Sequence, residues 1–317
     1  MKTVLIDRSL VEANFRQGTT KANIFLYTNA LIESGVSYVE LDLNALLHTI
    51  VVADRSHLIY RLHDAAAIDL VDSLGFGYVL LPLRLSYLAE RFNTPVMLEA
   101  PFGCEDPIAY MKVVSDNIDL TKFSLVRLLG DLGDGSEIHK IVAAYRSRYS
   151  TPLDICPIDT SMNAIDCAVR ACLAETDSVT AHLGDGSGFA SLEGLYLTLS
   201  VLYRQVKNDS FVKGMGKAMF IGKDDLGMNF DAVDALMAIY THKPRLVPRI
   251  DGNRVPIKEV DFFETIVARN RMFRPMTERK LTKVLQFEES VADIRGAIED
   301  CSPELSLLSK KKSDFFS

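Results

Sequence analysis

The stretch that decides the fold is LDICPIDTSMNAIDCAVRACLAETDSVTAHLGDGSGFASLEGLYLTL, residues 153–199. It opens with a short apolar run at residues 153–158 and continues with an amphipathic helical pattern at residues 162–173. A second apolar run, residues 178–183, leads through a glycine-rich turn into another helical pattern. Strand, helix, strand and helix in this order are typical of a parallel sheet with helical crossovers. The stretch therefore predicts an α/β protein.

The same alternation extends back to the start of the chain. Short apolar runs bounded by Gly, Pro, Asp or Ser predict six more strands, at residues 3–7, 38–42, 57–62, 78–81, 95–99 and 124–129. Helical patterns lie between them, and Gly35 stands where the first helix needs a C-terminal cap. Eight strands alternating with eight helices predict a closed (β/α)8 TIM barrel. The alternative is a doubly wound open sheet, which is disfavoured because no GxGxxG motif follows the first strand.

The alternation stops after about residue 206. We therefore expect residues 1–206 to form the barrel domain. Residues 207–300 carry charged helical patterns and a turn signal at 251–252, and they predict a helical C-terminal extension. Residues 301–317 are expected to form a flexible tail.

The composition excludes several classes of function. The chain has 317 residues, of which 48% are hydrophobic and 24% charged, and its formal net charge is −7. This acidic composition argues against a general nucleic-acid or membrane-surface role, and no apolar run approaches the roughly 20 residues of a membrane span. The five cysteines include no CxxC pair, which predicts reduced thiols rather than a zinc cluster. We expect a cytoplasmic protein without a nucleic-acid or membrane partner.

Polar residues follow the predicted strands at the ends where a barrel collects its functional groups. The candidates are Asp7, Arg8, Glu40, Arg61, His63, Glu99, Asp131, Asp159 and His182. A charge inside a barrel strand is costly unless it is paired or faces water. Glu40 and Arg61 lie on neighbouring predicted strands, and two interpretations remain open. The charges form a structural cluster of ion pairs, or they line a pocket for a small anion.

The turn LGDGSG, residues 183–188, is a second candidate binding element. Gly184, Asp185 and Gly186 precede a helix, where free backbone N–H groups can bind a phosphate or a carboxylate. The geometry of a tight turn explains these glycines equally well. His63 and His182 would form a metal site with Glu99 or Asp185 only if the fold brings them together.

Several stretches of the sequence together resemble the DRE-TIM metallolyase superfamily, in particular its homocitrate synthase and 2-isopropylmalate synthase branch. Residues 6–42 resemble the family's DTTLRDGEQ opening, its first helix and its YIE strand, and residues 124–149 resemble the strand, DTxG turn and helix that follow. Residues 156–173 resemble HxHNDxGMAxANxxAAL, and residues 182–199 resemble GLGERAGNASLEEVVMAL. The resemblance implies a (β/α)8 barrel that condenses an acyl-CoA with a 2-oxo acid on a divalent metal.

The residues that this chemistry needs are not retained. On the resemblance, the catalytic arginine falls on Val11, the metal-binding aspartate on Glu12, and the two metal histidines on Ile155 and Pro157. The asparagine of the GN pair falls on Phe189. Apolar side chains cannot replace imidazole ligands. The resemblance therefore predicts that the chain has no metal cofactor, although acidic and glycine positions of the family are kept at Asp7, Glu40, Asp159, Gly184 and Gly188.

Two functional hypotheses follow. The first is a divergent homocitrate/isopropylmalate synthase-like barrel that lacks the metal-dependent condensation and acts as a non-catalytic or metabolite-binding homologue. Its expected partners are a small carboxylate or 2-oxo acid, and a second copy of itself or an intact synthase. The alternative is an active acyltransferase or aldol/lyase-type enzyme with a rebuilt site, in which Arg61 binds a carboxylate and His63 or His182 is the general base.

Overall fold

Eight parallel strands form a closed barrel in chain order, which confirms the predicted (β/α)8 architecture. The computed structural model describes residues 3–11, 21–43, 45–46, 55–102, 106–133, 135–158, 163–184, 188–201, 214–215, 217–219, 221–222, 246–248 and 254–256. The barrel strands are β1 (Val4–Leu10), β2 (Tyr38–Leu41), β3 (Leu58–Arg61), β4 (Tyr78–Pro82), β5 (Val96–Phe102), β6 (Leu125–Gly130), β7 (Leu153–Pro157) and β8 (Ser178–Ala181).

Helices connect the strands around the outside of the barrel. The described α-helices are α1 (Lys21–Glu33), α2 (Ile68–Ser73), α3 (Pro107–Asn117), α4 (Ile138–Arg146), α5 (Ala164–Leu173) and α6 (Leu192–Val201). Three 3-10 helices, Ala65–Ala67, Leu83–Arg91 and Leu120–Lys122, complete the described connections. The crossover from β4 to β5 is the 3-10 helix Leu83–Arg91.

Capping residues in the sequence set the helix boundaries. Gly35 adopts a left-handed φ of 95°, and its N–H donates to Ile32 while the N–H of Val36 donates to Leu31. These two bonds form the Schellman motif that ends α1, as the sequence predicts. At the start of α3, the Asp106 side chain accepts hydrogen bonds from the first free backbone N–H groups, and Pro107 occupies a position that needs no donor.

The barrel closes where β1 pairs with β8. Asp7 is the register partner of Val39 on β2 and of Ala181 on β8. The register between β1 and β2 shifts between Asp7 and Leu10, and β1 extends three residues beyond the predicted end. The first strand therefore carries its polar residues, Asp7 and Arg8, inside the sheet rather than in a following loop.

An apolar cluster fills the part of the barrel interior, here called the lumen, that lies nearer the strand starts. Its buried members are Ile6, Ile59, Leu80, Met97 and Leu125, and Val4, Tyr38 and Tyr78 pack against them. Side chains two residues apart on a strand face the same side. Residues two positions after the cluster therefore also face the lumen, one level nearer the strand ends.

The described residues fall into two compact units, Met1–Asn229 and Phe230–Ser317. In the first unit, the Nζ of Lys217 lies 2.8 Å from Glu33 of α1. In the second unit, β9 (Leu246–Pro248) and β10 (Arg254–Pro256) pair in antiparallel orientation. The turn predicted at residues 251–252 lies outside the described residues. The remaining residues of the predicted helical extension and tail lie almost entirely outside the described residues.

None of the described helices has the length and apolar character needed to cross a membrane.

Candidate functional site

A layer of charged side chains lies next to the apolar cluster in the lumen, on the side nearer the carboxyl ends of the strands. Its members, here called the charged layer, are Arg8, Glu40, Arg61, Glu99, Arg127 and Asp154. Each of the first five comes two residues after a member of the apolar cluster or a residue packed against it, namely Ile6, Tyr38, Ile59, Met97 and Leu125 in that order. Because side chains two residues apart on a strand face the same side, these five also face the lumen. Asp154 on β7 joins them through a contact with Arg127. Glu40, Glu99, Arg127 and Asp154 are almost completely excluded from solvent.

Arg127 is the centre of the charged layer and is fully buried. Its Nε donates to Oδ2 of Asp154 at 2.6 Å, and its Nη2 donates to Oγ1 of Thr180 at 2.9 Å. Its Nη1 donates to Oε2 of Glu40, which comes from β2 on the other side of the barrel. These partners satisfy the guanidinium, as a buried charge requires.

Arg61 is paired with Glu99 in a bidentate arrangement. Its Nη1 donates to Oε2 of Glu99 at 2.6 Å, and its Nη2 donates to Oε1 of the same residue. The same Nη1 lies 3.3 Å from Oε1 of Glu40. Two parallel N–H···O bonds give this type of pair both strength and a fixed orientation. Arg61 is therefore occupied by a carboxylate of the protein itself.

The arginines determine the ionisation of Glu40. Burial alone would raise the pKa of this carboxyl group, but attraction by Arg127, Arg8 and Arg61 outweighs burial and lowers the pKa to about 2. The same pairing raises the pKa of Arg61 above its ordinary value, against the effect of burial. Glu40 is therefore a carboxylate at neutral pH.

Arg8 differs from the other two lumen arginines. Among the described residues it has no carboxylate within ion-pair distance. Its Nη1 lies 3.7 Å from the sulfur of Cys156, and its guanidinium carbon lies 3.8 Å from the centre of the Phe189 ring. A thiol is a weak acceptor and an aromatic face is a cation–π partner. Most of the N–H donors of Arg8 therefore have no oxygen acceptor within the part of the chain that the structure describes.

His182 follows β8 and faces the lumen, because Thr180 two residues earlier reaches Arg127 there. Burial and repulsion by Arg8 together lower the pKa of His182 to about 4, against a hydrogen bond to the backbone of Leu183 that raises it. The imidazole is therefore neutral at pH 7. Its Nδ1 is buried and has no hydrogen-bond partner among the residues that the structure describes.

Phe189 and Cys156 complete the surroundings of Arg8. Phe189 forms an isolated bridge to Ile158, which lies one residue beyond β7, so Phe189 lies next to the carboxyl end of β7. Burial raises the pKa of the Cys156 thiol to about 11, although Arg8 attracts the thiolate. Cys156 is therefore a neutral thiol rather than a nucleophile or a metal-binding thiolate.

Asp7 faces the helices and not the lumen, since it alternates with Ile6 and Arg8. Its Oδ2 accepts the N–H of Ser9 at 3.1 Å, and its Oδ1 accepts the Ser9 hydroxyl. The Ser9 oxygen in turn accepts the N–H of Leu183 at 2.6 Å. This chain of bonds joins β1 to the segment after β8. Burial raises the pKa of Asp7 to about 7.

The other predicted site residues are not brought together with the charged layer by any described contact. His63 is exposed, and its carbonyl oxygen accepts from Arg84. Asp131 accepts the N–H of Gly133 and shapes the turn after β6. Gly184 donates to Glu193 at 3.2 Å. The remaining three predicted residues, Asp159, Asp185 and Gly186, lie outside the described residues.

Side chains on β7 point alternately into the lumen and towards the helices, which decides which of its residues could reach a metal in the lumen. Asp154 and Cys156 face the lumen, because each contacts an arginine there. Ile155 and Pro157, to which the family resemblance assigns the metal histidines, therefore point towards the helices. The next lumen-facing position is Ile158. The lumen-facing side chains at this end of β7 thus belong to Cys156 and Ile158, and neither is an imidazole.

The described residues do not fit a divalent metal. No group of three or more His, Cys, Asp or Glu side chains in the described part of the chain is arranged to hold an ion. The lumen carboxylates Glu40, Glu99 and Asp154 already accept hydrogen bonds from arginines. A divalent ion would have to compete with these guanidiniums for the same oxygens.

Sequence reasoning missed two central members of the charged layer, Arg127 and Asp154. Both carried the signal that identifies Glu40 and Glu99, namely a charge inside an otherwise apolar strand. The charge lies in the middle of the run in LVRLL and near its start in LDICP, and in neither case at its end. A search limited to strand ends therefore passes over them.

Comparisons with known proteins agree with this architecture. No protein-family model and no curated protein sequence matches the chain. The hydroxymethylglutaryl-CoA lyase of Bacillus subtilis has a TM-score of 0.58 at 16% identity, over 73% of this chain and 96% of that one. The lyase of Pseudomonas aeruginosa has a TM-score of 0.58 at 15% identity, over 75% and 98%. The carboxyl transferase domain of Rhizobium etli pyruvate carboxylase has a TM-score of 0.53 at 13% identity, over 69% and 47%. The chain shares the barrel fold of these enzymes.

Proposed function

We propose that this chain is a divergent relative of the DRE-TIM metallolyases that binds a small carboxylate and does not carry out metal-dependent condensation of an acyl-CoA. The similarity of residues 6–42 and 182–199 to the homocitrate/isopropylmalate synthase branch supports this origin. The fold similarity to hydroxymethylglutaryl-CoA lyases is consistent with it.

The observation that carries the proposal is the engagement of the lumen carboxylates by arginines. A divalent ion at this place would need free carboxylate oxygens, free imidazole nitrogens, or both. Glu40, Glu99 and Asp154 instead bond to Arg61 and Arg127. Freeing one carboxylate for a metal would leave a guanidinium buried without its partner, which costs several kcal/mol.

The role of carboxylate binding moves from Arg61, where the sequence suggested it, to Arg8. Arg61 has a bidentate partner in Glu99, whereas Arg8 has a thiol and an aromatic ring. A guanidinium with free donors in a mostly buried place is a typical recognition group for a carboxylate.

Metal analysis combined with an activity assay tests the proposal. The purified chain is incubated with magnesium, manganese or zinc, separated from free ions, and analysed by mass spectrometry for bound metal. It is then assayed for release of CoA from acyl-CoA in the presence of 2-oxo acids. We expect bound metal far below one ion per chain and no CoA release. A stoichiometric ion bound through lumen residues, or CoA release above the blank, would contradict the proposal.

The alternative of an active enzyme depends on His182, because its half-buried imidazole is neutral at pH 7 and can accept a proton, although a pKa of about 4 makes it a weak base. Incubation of the chain with 2-oxo acids, followed by proton NMR, distinguishes the two functions. Consumption of a 2-oxo acid that disappears in a His182→Phe variant would support the enzyme. Unchanged spectra in the presence of measurable ligand binding support the non-catalytic function.

A further inference from the structure

The connection between β4 and β5 exposes a large aromatic side chain on the outside of the barrel. Tyr87 lies in the middle of the 3-10 helix Leu83–Arg91. It is 72% exposed, more than any other large apolar side chain in the described part of the chain. Val113 on α3 and Leu70 on α2 are also more than half exposed. Single exposed apolar residues are common, so the arrangement of these three decides what they mean.

The three side chains lie on consecutive elements of the outer layer, since α2, the 3-10 helix and α3 follow β3, β4 and β5 in chain order. Described contacts tie the 3-10 helix to both neighbours. Asp72 of α2 accepts from Nδ2 of Asn93, just after the 3-10 helix, at 2.7 Å. On the other side, Glu90 lies 2.7 Å from Lys122, which follows α3. The three exposed side chains therefore lie on one side of the barrel.

The 3-10 helix presents a stripe of charge, aromatic ring and opposite charge. Residues three apart lie above one another in a 3-10 helix, because it has three residues per turn. Arg84, Tyr87 and Glu90 are accordingly all exposed, whereas Leu85 and Leu88 are buried against the barrel. Tyr87 thus has a cation one turn before it and a carboxylate one turn after it, each about 6 Å away along the axis. We call five residues the crossover face: Leu70, Arg84, Tyr87, Glu90 and Val113.

The two charges of the stripe remain available to a partner. Arg84 donates to the carbonyl oxygen of His63 at 3.2 Å and is exposed. The side chains of Glu90 and Lys122 are 72% and 45% exposed, although they form an ion pair. Exposed pairs of this kind contribute little to stability, so rearranging them costs little.

We propose that the crossover face binds a second copy of this chain, with a two-fold axis passing beside Tyr87. Such an axis sets the two 3-10 helices antiparallel. Arg84 of each copy then faces Glu90 of the other, and the two Tyr87 rings meet at the axis. A stripe in the order cation, ring and carboxylate complements itself in this orientation, because a parallel arrangement would bring like charges together.

Tyr87 is suited to the centre of such a contact. Tyrosine is enriched in protein interfaces, and residues that contribute most to binding cluster near the middle. Leu70 and Val113 flank it on the neighbouring helices and extend the apolar part of the face. The inference concerns the outside of the barrel and does not depend on the proposed function.

The size of the crossover face predicts a reversible dimer. A 3-10 helix of nine residues is about 18 Å long, and the neighbouring outer helices lie about 10 Å to either side. A face of about 18 by 20 Å is small compared with the roughly 800 Å² per partner of a typical stable complex. We therefore expect dimer and monomer to exchange with concentration.

Sedimentation velocity of the full chain over a wide range of concentration tests the proposal. We expect a monomer at low concentration and a dimer at high concentration. Tyr87→Ser should weaken the dimer by about tenfold or more, since it removes the central side chain. A monomer at every concentration would overturn the second copy as the occupant and would leave a partner of another kind for this face.

Charge reversal tests the orientation. Arg84→Glu alone places carboxylates opposite each other at both contacts, and Glu90→Arg alone does the same with cations, so each should weaken the dimer. An equimolar mixture of the two variants restores opposite charges at both contacts and should form a mixed dimer. Lys140→Glu, a reversal at an exposed site on α4, is the matched control and should dimerise as the original chain does.

Each result bears on the crossover face alone. A dimer that is unaffected by Tyr87→Ser and by both reversals forms elsewhere and would overturn the proposal. Reversals that weaken the dimer without recovery in the mixture would overturn the antiparallel pairing. Metal binding or CoA release would contradict the proposed function and would leave these outcomes unchanged.

Discussion

Arg127 and Asp154 are register partners on neighbouring strands, and the Nε of Arg127 lies 2.6 Å from Oδ2 of Asp154. The hydroxyl groups of Ser178 and Thr180 donate to the two oxygens of the same carboxylate, at 2.9 and 2.7 Å. A fully buried ion pair between β6 and β7 is thus supported by further hydrogen bonds from the neighbouring strand β8. Such pairs contribute little compared with an apolar core, but breaking one partner is costly.

We therefore expect Arg127→Met to destabilise the fold by about 3–5 kcal/mol, since it leaves Glu40 and Asp154 buried without their main cation. Urea unfolding followed by circular dichroism measures the effect. Arg146→Met is the control, because a substitution at an exposed site usually changes stability by less than about 0.5 kcal/mol. A loss in Arg127→Met no larger than in this control would show that the charged layer does not depend on Arg127.

The low pKa of Glu40 leads us to expect that the stability of the protein falls at acidic pH. Its pKa is about 2 in the fold, against 4.5 as the reference value. A lowered pKa contributes stability that is present above the unfolded value and is lost as the pH falls through the folded value. At roughly 1.4 kcal/mol per pH unit, the stability of the original chain relative to Glu40→Gln should fall by about 3 kcal/mol between neutral pH and about pH 2.

Denaturant unfolding of both chains between neutral pH and about pH 3 checks this difference. Glu90→Gln, at an exposed surface carboxylate, controls for the change in net charge. A stability difference between the original chain and Glu40→Gln that does not change with pH would contradict the low pKa of Glu40.

The fold was accessible from the sequence because strand and helix signals alternate without interruption. Apolar runs located all eight strands, and Gly35 located the end of α1. The end of β1 was predicted too early, because Asp7 and Arg8 are typical of a strand end. In the structure both residues lie within β1, where the Arg8 side chain faces the lumen and the Asp7 side chain faces the helices.

The site was only partly accessible from the sequence. Charges within apolar strands indicate that Glu40, Arg61 and Glu99 belong to a polar layer. The choice of partner depends on which side chains meet across the lumen, and strand order alone does not give this. Glu40 on β2 bonds to Arg127 on β6, 87 residues away, and no local pattern connects them.

Arg61 and Glu99 are expected to be energetically coupled. A double-mutant cycle with Arg61→Met, Glu99→Gln and the double variant measures the coupling free energy. For a bidentate, mostly buried pair we expect about 1–3 kcal/mol, with the double variant more stable than the sum of the single effects predicts. The exposed pair of Lys140 and Glu137, at 2.8 Å, is the control cycle and should give less than about 0.5 kcal/mol. Equal coupling in both cycles would contradict the role of burial.

The buried thiols should be unreactive in the native protein. Burial raises the pKa of Cys156 to about 11 and that of Cys172 to about 12. The thiolate is the reactive form, so a short pulse of iodoacetamide at about pH 8 should leave both residues unmodified. Peptide mass spectrometry after the pulse checks this, and the same pulse in urea, above the unfolding midpoint, should modify both. Rapid alkylation of Cys156 without denaturant would show that the lumen opens readily.

The raised pKa of Asp7 gives its contribution to stability the opposite pH dependence from that of Glu40. Burial raises its pKa from 3.8 to about 7, although hydrogen bonds from Ser9 and Leu183 oppose the shift. For a raised pKa, the contribution to stability is fully present below the unfolded value and is lost as the pH rises through the folded value. The original chain should therefore lose roughly 4 kcal/mol of stability relative to Asp7→Asn between about pH 4 and pH 8.

Urea unfolding of both chains across this range measures the loss. Asp69→Asn, at an exposed aspartate of α2, is the control for the change in net charge. A constant difference between the original chain and Asp7→Asn would show that Asp7 is ionised in the fold throughout, held by Ser9 and Leu183 at the seam between the first and last strands.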